Sequence, residues 1–238
     1  MNFLEKRGDT EMKKNIIAPL TVGALLTLSL SAGPLHAAPS KFTDIQGIPG
    51  ADKIESLHQN GLIKGVSDNL FKPEEQLSTA QGVQLIVDGL DLNLNAIRFI
   101  KMPVPSDYFS AVKDGVWYSD AFIRAQYNSI KLPQNIDPSK PLTREQYTLF
   151  LMQAIEAKGG LPMIKIQPVD IADENELTPE YQGAVQRSLV LKISALDAEG
   201  QFHPKQAITR AEAAVMMYNA TKHMESFFTP QIPETPEK

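Results

Sequence analysis

Two arginines directly follow a helix-capping threonine: Arg144 in Leu142-Thr143-Arg144-Glu145-Gln146 and Arg210 in Ile208-Thr209-Arg210-Ala211-Glu212. A cation at the first position of a helix meets the positive end of the macrodipole, at a cost of about 0.3–1 kcal/mol at an exposed end. An anion beside the same end reverses the sign, because free backbone N–H groups, the dipole and a bidentate guanidinium then converge on a carboxylate. Carboxylate binding is therefore the chemistry that Arg144 and Arg210 could perform. The competing reading is an ion pair with a nearby Asp or Glu, and both readings stay open. Thr79 stands at the corresponding place in a third copy, so a groove there is expected to be weak or inactive. Trp117, the single tryptophan, could stack on a sugar ring, but packing in the core is its expected role. Asp44, Asp107 and Asp170 are expected to cap turns or helix starts. His58, His203 and His223 are scattered without metal-ligand spacing, and the chain has no cysteine, so no metal site, thiolate chemistry or disulfide is expected. No catalytic residue and no cofactor is assigned.

The elements that would position these side chains come in three copies. FKPEEQLSTAQ at 71–81, IDPSKPLTREQ at 136–146 and FHPKQAITRAE at 202–212 share the pattern [Phe/Ile]-x-Pro-x-x-x-[Leu/Ile]-[Ser/Thr]-x-x-[Gln/Glu], and their prolines Pro73, Pro138 and Pro204 fall 65 and 66 residues apart. Each copy is preceded, about 30 residues upstream, by one of the three aspartates named above. The pairs Ser78 with Gln81, Thr143 with Gln146 and Thr209 with Glu212 read as capping boxes, and each precedes an apolar run. Each unit thus reads as two helices joined by a turn-rich loop, for example Gly65-Val66-Ser67-Asp68-Asn69.

These units resemble the S-layer homology family. The resemblance rests on Phe42-Thr43-Asp44-Ile45, on the loop Lys64 to Pro73, on Asp114-Gly115-Val116-Trp117-Tyr118 and on Ile208-Thr209-Arg210-Ala211-Glu212. It implies an all-α fold of three helical repeats, in a pseudo-threefold arrangement around a central three-helix core, with ligand grooves between neighbours. It also implies binding to a secondary cell-wall polysaccharide attached to peptidoglycan, commonly through pyruvate ketals whose carboxylates are recognised by the arginine of the Thr-Arg-Ala-Glu motif. On this chain those arginines are Arg210 and Arg144. The expected organisation is an N-terminal extension and signal peptide at 1–37, repeats at 38–100, 101–166 and 167–224, and a disordered Pro-rich tail at 225–238.

The signal peptide is read from Lys13 and Lys14, the apolar stretch Ile16 to Ala32 and the small residues Ala37 and Ala38, after which cleavage is expected. Met12 begins a more usual signal peptide than Met1. No later stretch reaches the roughly 20 apolar residues of a membrane span. The chain carries a net charge of −5, with Lys6, Arg7, Lys13 and Lys14 concentrated before the expected cleavage site, which argues against sequence-independent nucleic-acid binding. The expected function is non-covalent cell-surface anchoring of a secreted protein. The alternatives are degenerate repeats that contact another envelope protein, or an envelope carbohydrate hydrolase. The hydrolase needs a carboxylate pair for which the repeats leave no catalytic insertion.

Overall fold

Ser78, Thr143 and Thr209 each accept a hydrogen bond from the amide three residues on, at 3.3, 3.3 and 3.2 Å. The Gln81, Gln146 or Glu212 side chain returns to the cap amide at 2.9, 3.0 and 2.9 Å. All three expected capping boxes thus form in the computed structural model, which describes residues 42–161 and 167–228. They open α2 (Thr79–Gly89), α4 (Arg144–Ala157) and α6 (Arg210–Phe228). The first helices of the units are α1 (Ala51–Gln59), α3 (Ser119–Tyr127) and α5 (Pro179–Val190). Between these helices the described residues contain only short 3-10 turns, loops and isolated β-bridges, so the fold is all-α. The signal peptide, its cleavage site and residues 229–238 lie outside the described residues. Helix α6 continues to Phe228, four residues into the segment expected as tail.

The first helices end alike. Gly61, Ser129 and Lys192 adopt left-handed backbone, with φ of 73°, 62° and 56°. The following amide then bonds back to Leu57, Ala125 or Ser188 at 2.9, 3.0 or 2.8 Å, the pattern of a Schellman C-cap. The turn positions Ile63, Ile130 and Ile193 in the core, where all three are buried.

The packing unit is not the expected hairpin within one repeat. The closest helix pairs are α2 with α3, α4 with α5, and α6 with α1, so each first helix lies on the second helix of the preceding unit, and the last unit closes onto the first. The second helices α2, α4 and α6 also touch one another. Their approach is tight: a Cβ on Gly82 would collide with Leu142 of the neighbouring unit. Around this centre lies one large core that includes Phe42, Phe122, Tyr147 and Phe150, each at most 2% exposed. The Tyr147 hydroxyl donates to Ala213 O at 3.1 Å, and burial pushes its pKa far above that of a free tyrosine. A smaller cluster of Ile171, Leu177, Val185, Leu189 and Phe202 serves the third unit.

A ring of main-chain hydrogen bonds runs around the helix starts. Leu77 N donates to Ile208 O (2.9 Å), Ile208 N to Leu142 O (2.9 Å) and Leu142 N to Leu77 O (3.0 Å). The residue types explain why this ring forms. Each donor is the apolar residue just before a capping Ser or Thr and is at most 4% exposed, where an unpaired amide would cost about 1–3 kcal/mol.

Candidate functional site

The aspartates fix the loops that carry the site, although not the three that the spacing suggested. Asp44 accepts from Phe71 N (2.9 Å) and Lys72 N (2.7 Å), while Asp173 accepts from Phe202 N (2.8 Å) and His203 N (2.7 Å). Each clamp holds the residue before the loop proline, Lys72 or His203, at φ 56°. Asp173, rather than Asp170, is therefore the counterpart of Asp44. In the second unit the bond of Ser110 N to Gln134 O matches those of Thr43 N to Asn69 O and Ala172 N to Gly200 O, which puts Ala111 at the clamp position. Asp107 instead caps its own 3-10 turn by accepting from Val104 N at 3.0 Å. Burial acts to raise the Asp44 pKa, but the amides of Phe71 and Lys72, its own amide and the Arg210 charge together hold it below the ordinary carboxylate value.

Each clamped loop presents a buried phenylalanine to an arginine of the neighbouring unit. Arg210 lies over the Phe71 ring at 4.7 Å, and its Nε and Nη2 donate to Phe71 O (2.9 Å) and Lys64 O (3.2 Å). Arg144 repeats the arrangement over Phe202 at 5.1 Å, with Nη2 donating to Ala195 O at 2.8 Å. Thr79, at the third position, donates its hydroxyl to Lys140 O at 2.9 Å. These positions are equivalent, and each joins one unit to the next.

The helix N-termini themselves are not free. The first amides of α2, α4 and α6 donate to Lys140, Gln206 and Glu75 carbonyls at 2.8, 2.8 and 2.9 Å, and the second amides to Pro138, Pro204 and Pro73 at 2.9, 3.2 and 3.0 Å. With the third amide taken by the capping side chain, every N–H that was expected to converge on an anion is already satisfied by the fold. The arginine side chains are what remains for a ligand. A cation that only costs the helix end could be removed without loss of folding, but the contacts above make both arginines ties between units.

The two arginines then differ. Arg144 Nη1 meets Glu212 Oε1 at 2.7 Å, which is the ion-pair reading, and its side chain is only 15% exposed. Among the described residues no carboxylate closes an ion pair with Arg210. Burial draws its pKa below the ordinary arginine value, and Glu75 and Asp44 oppose this from a distance. Arg210 lines a cleft of about 260 Å³ together with Lys64, Gln81, Gln84, Asp88 and Trp117. Asp88 is engaged by Arg124 at 2.8 Å.

Trp117 is 63% exposed in this cleft, standing edge-on to Tyr118 at 5.2 Å, so the expected core role is corrected: Tyr118, not Trp117, packs against the core. All three units thus contribute to the Arg210 cleft. Lys64, Gln81 and Gln84 escaped the sequence reading, although Gln81 was legible as the counterpart of Glu212. Among the described residues no group of three or more His, Asp or Glu side chains is placed to hold a metal.

Residues 41–81 and 171–214 match the S-layer homology domain. These two segments carry S-layer homology sequence. The two matched segments are those with an aspartate clamp and a phenylalanine shelf, whereas the second unit, with Ala111 and Ile136 in their places, lies outside them. Three relatives extend the similarity over most of the chain. Exoglucanase XynX of Acetivibrio thermocellus is 28% identical over 82% of this chain and 17% of its own length. Amylopullulanase of Thermoanaerobacterium thermosulfurigenes is 28% identical over 74% of this chain and 9% of its own. The S-layer protein sap of Bacillus anthracis is 25% identical over 90% of this chain and 25% of its own. The chain spans a quarter or less of the length of these relatives.

Proposed function

We propose that this protein is held non-covalently at the cell surface by an anionic wall polysaccharide bound in the Arg210 cleft. S-layer homology domains are cell-surface anchoring modules, found in S-layer proteins and in enzymes of the cell wall, and they set the location as secreted and at the cell surface or wall. The finer reading rests on one observation: a guanidinium that closes no ion pair with a carboxylate among the described residues shares an open cleft with an exposed tryptophan. A sugar acid has two parts, an apolar ring face and a charge, and this cleft offers a complement to each. Lys64 adds a second cation, and the Gln81 and Gln84 side chains add polar groups for hydroxyls. A carboxylate carried on a pyruvate ketal fits this chemistry. The ring of hydrogen bonds from Leu77 through Ile208 to Leu142 supports a pseudo-threefold arrangement, with grooves at the joints.

The protein acts in this reading as an anchor without catalysis, and the polysaccharide-degrading relatives share with it only a minor part of their length. Sedimentation with purified cell walls, before and after chemical removal of the polysaccharide from peptidoglycan, tests the proposal. The expected result is co-sedimentation that disappears with the polymer and weakens in Arg210→Ala and in Trp117→Ala. Binding that survives complete removal of the polymer overturns the polysaccharide reading in favour of a protein or peptidoglycan partner.

A further inference from the structure

Superposing the capping boxes makes Gln81 of α2 the counterpart of Glu212 of α6, since each is the third helical residue after its cap. Each also lines the cleft of the arginine that reaches over from a neighbouring unit: Gln81 with Arg210, Glu212 with Arg144. The two clefts share a guanidinium over a phenylalanine and a bond to the carbonyl seven residues before it, Lys64 or Ala195. The bond of Arg210 Nε to Phe71 O has no counterpart at Arg144, and Trp117 and Asp88 line only the Arg210 cleft. The difference that bears directly on an anion lies in the group that the facing helix sets beside the guanidinium. Glu212 Oε2 serves its own cap through Thr209 N, and Oε1 reaches Arg144 at 2.7 Å. Gln81 Oε1 serves the cap through Ser78 N, and the rest of that side chain is neutral.

We propose that this one position decides which groove receives an external carboxylate. Glu212 acts as an internal carboxylate that fills the Arg144 groove, whereas Gln81 leaves the Arg210 groove receptive, so the chain takes one anionic group at these two grooves rather than two. The inference deepens the carboxylate-binding reading of the clefts, but it concerns the arginines themselves and does not require the ligand to be wall polysaccharide. The same position also tolerates either residue as a capping partner, because Gln fills it natively in α2 and α4 and Glu in α6. The exchange Gln81→Glu with Glu212→Gln should therefore preserve all three boxes.

The test follows the guanidinium Nε–H resonances of Arg144 and Arg210 by NMR during titration with sodium acetate, with sodium chloride at equal ionic strength as control. In the parent chain acetate should shift Arg210 and leave Arg144 in place. Glu212→Gln should make Arg144 respond as Arg210 does, Gln81→Glu should silence Arg210, and the double exchange should swap the two responses. Parent-like amide spectra establish that each variant is folded. Equal acetate responses of both arginines in the parent, or an Arg144 that stays silent in folded Glu212→Gln, overturn the proposal. If the acetate pattern holds while purified walls fail to bind, the wall-polysaccharide reading falls and the groove assignment stands.

Discussion

Replacing Arg210 by alanine should destabilise the protein as well as weaken its binding. The side chain makes three contacts across the joint between the last and first units: to Phe71 O, to Lys64 O and over the Phe71 ring. Phe71 is 2% exposed, so its carbonyl loses a partner that water replaces poorly, at about 1–3 kcal/mol. Lys64 is exposed and its carbonyl is readily rehydrated, so that bond is worth about 0.5 kcal/mol, near the low end for an ordinary hydrogen bond. The cation over the ring contributes about 0.5–1 kcal/mol at such a partly open site. Relief of the unfavourable helix-end charge returns about 0.3–1 kcal/mol. The net loss is about 2 kcal/mol, which for a domain of this size lowers the melting temperature by roughly 4–8 °C. Thermal melts and urea titrations of the parent and Arg210→Ala, read by circular dichroism, measure it. A melt unchanged or raised would refute the view of Arg210 as a tie between units and restore the simpler picture of a strained, ligand-waiting charge.

Three further outcomes can be checked independently. Trp117→Ala should weaken wall binding with little change in melting, because the ring is 63% exposed, and the fluorescence of this single tryptophan should change when the parent binds wall polysaccharide. Lys192→Gly should raise stability by about 0.5–1 kcal/mol in urea unfolding, since Lys192 is exposed and holds φ 56°, where Gly61 stands in the first unit. Asp44→Asn should be less stable than the parent at neutral pH, and the gap should close in acid. The folded-state pKa of Asp44 is depressed, so its contribution is fully present above the unfolded value near 3.9 and is lost as the pH falls through the lower folded value. A gap that persists unchanged to pH 2 would place the effect elsewhere.

The helix starts were legible because a capping box is a local device: Ser78 with Gln81 and its two counterparts interact within one turn, so spacing alone identifies them. The left-handed C-caps were legible only in the first unit, where Gly61 marks the turn, because Ser129 and Lys192 carry no such mark. The clamp aspartates were misassigned for a related reason. Loop lengths differ by two residues between units, from Ser110–Gln134 through Thr43–Asn69 to Ala172–Gly200, so the clamp position lies 27, 29 and 31 residues before its proline. A spacing of about 30 neither separates Asp173 from Asp170 nor shows that Ala111 holds the place in the second unit. Arg144 and Arg210 were found, and the complete Ile-Thr-Arg-Ala-Glu motif favours Arg210, but the motif does not show what stands opposite each guanidinium. That requires knowing that the helix facing Arg144 is α6 and the helix facing Arg210 is α2, which depends on the cyclic order of packing.

That order also explains how three similar units come to hold unlike grooves. Each groove is assembled from the arginine of one unit, the loop of the next and the second helix to which that loop is joined, so its character depends on substitutions scattered over separate copies. Thr79 removes the guanidinium at one joint, Glu212 neutralises it at another, and Gln81 sets no charge beside it at the third. None of the three substitutions disturbs the ring of main-chain bonds, because the ring is built from amides and carbonyls whose geometry is set by the capping boxes and loop prolines. Structure and recognition are thereby divided between backbone and side chain at the same helix ends. The amides hold the units together and leave no N–H for a ligand, and the side chain beside them decides whether a carboxylate from outside is received.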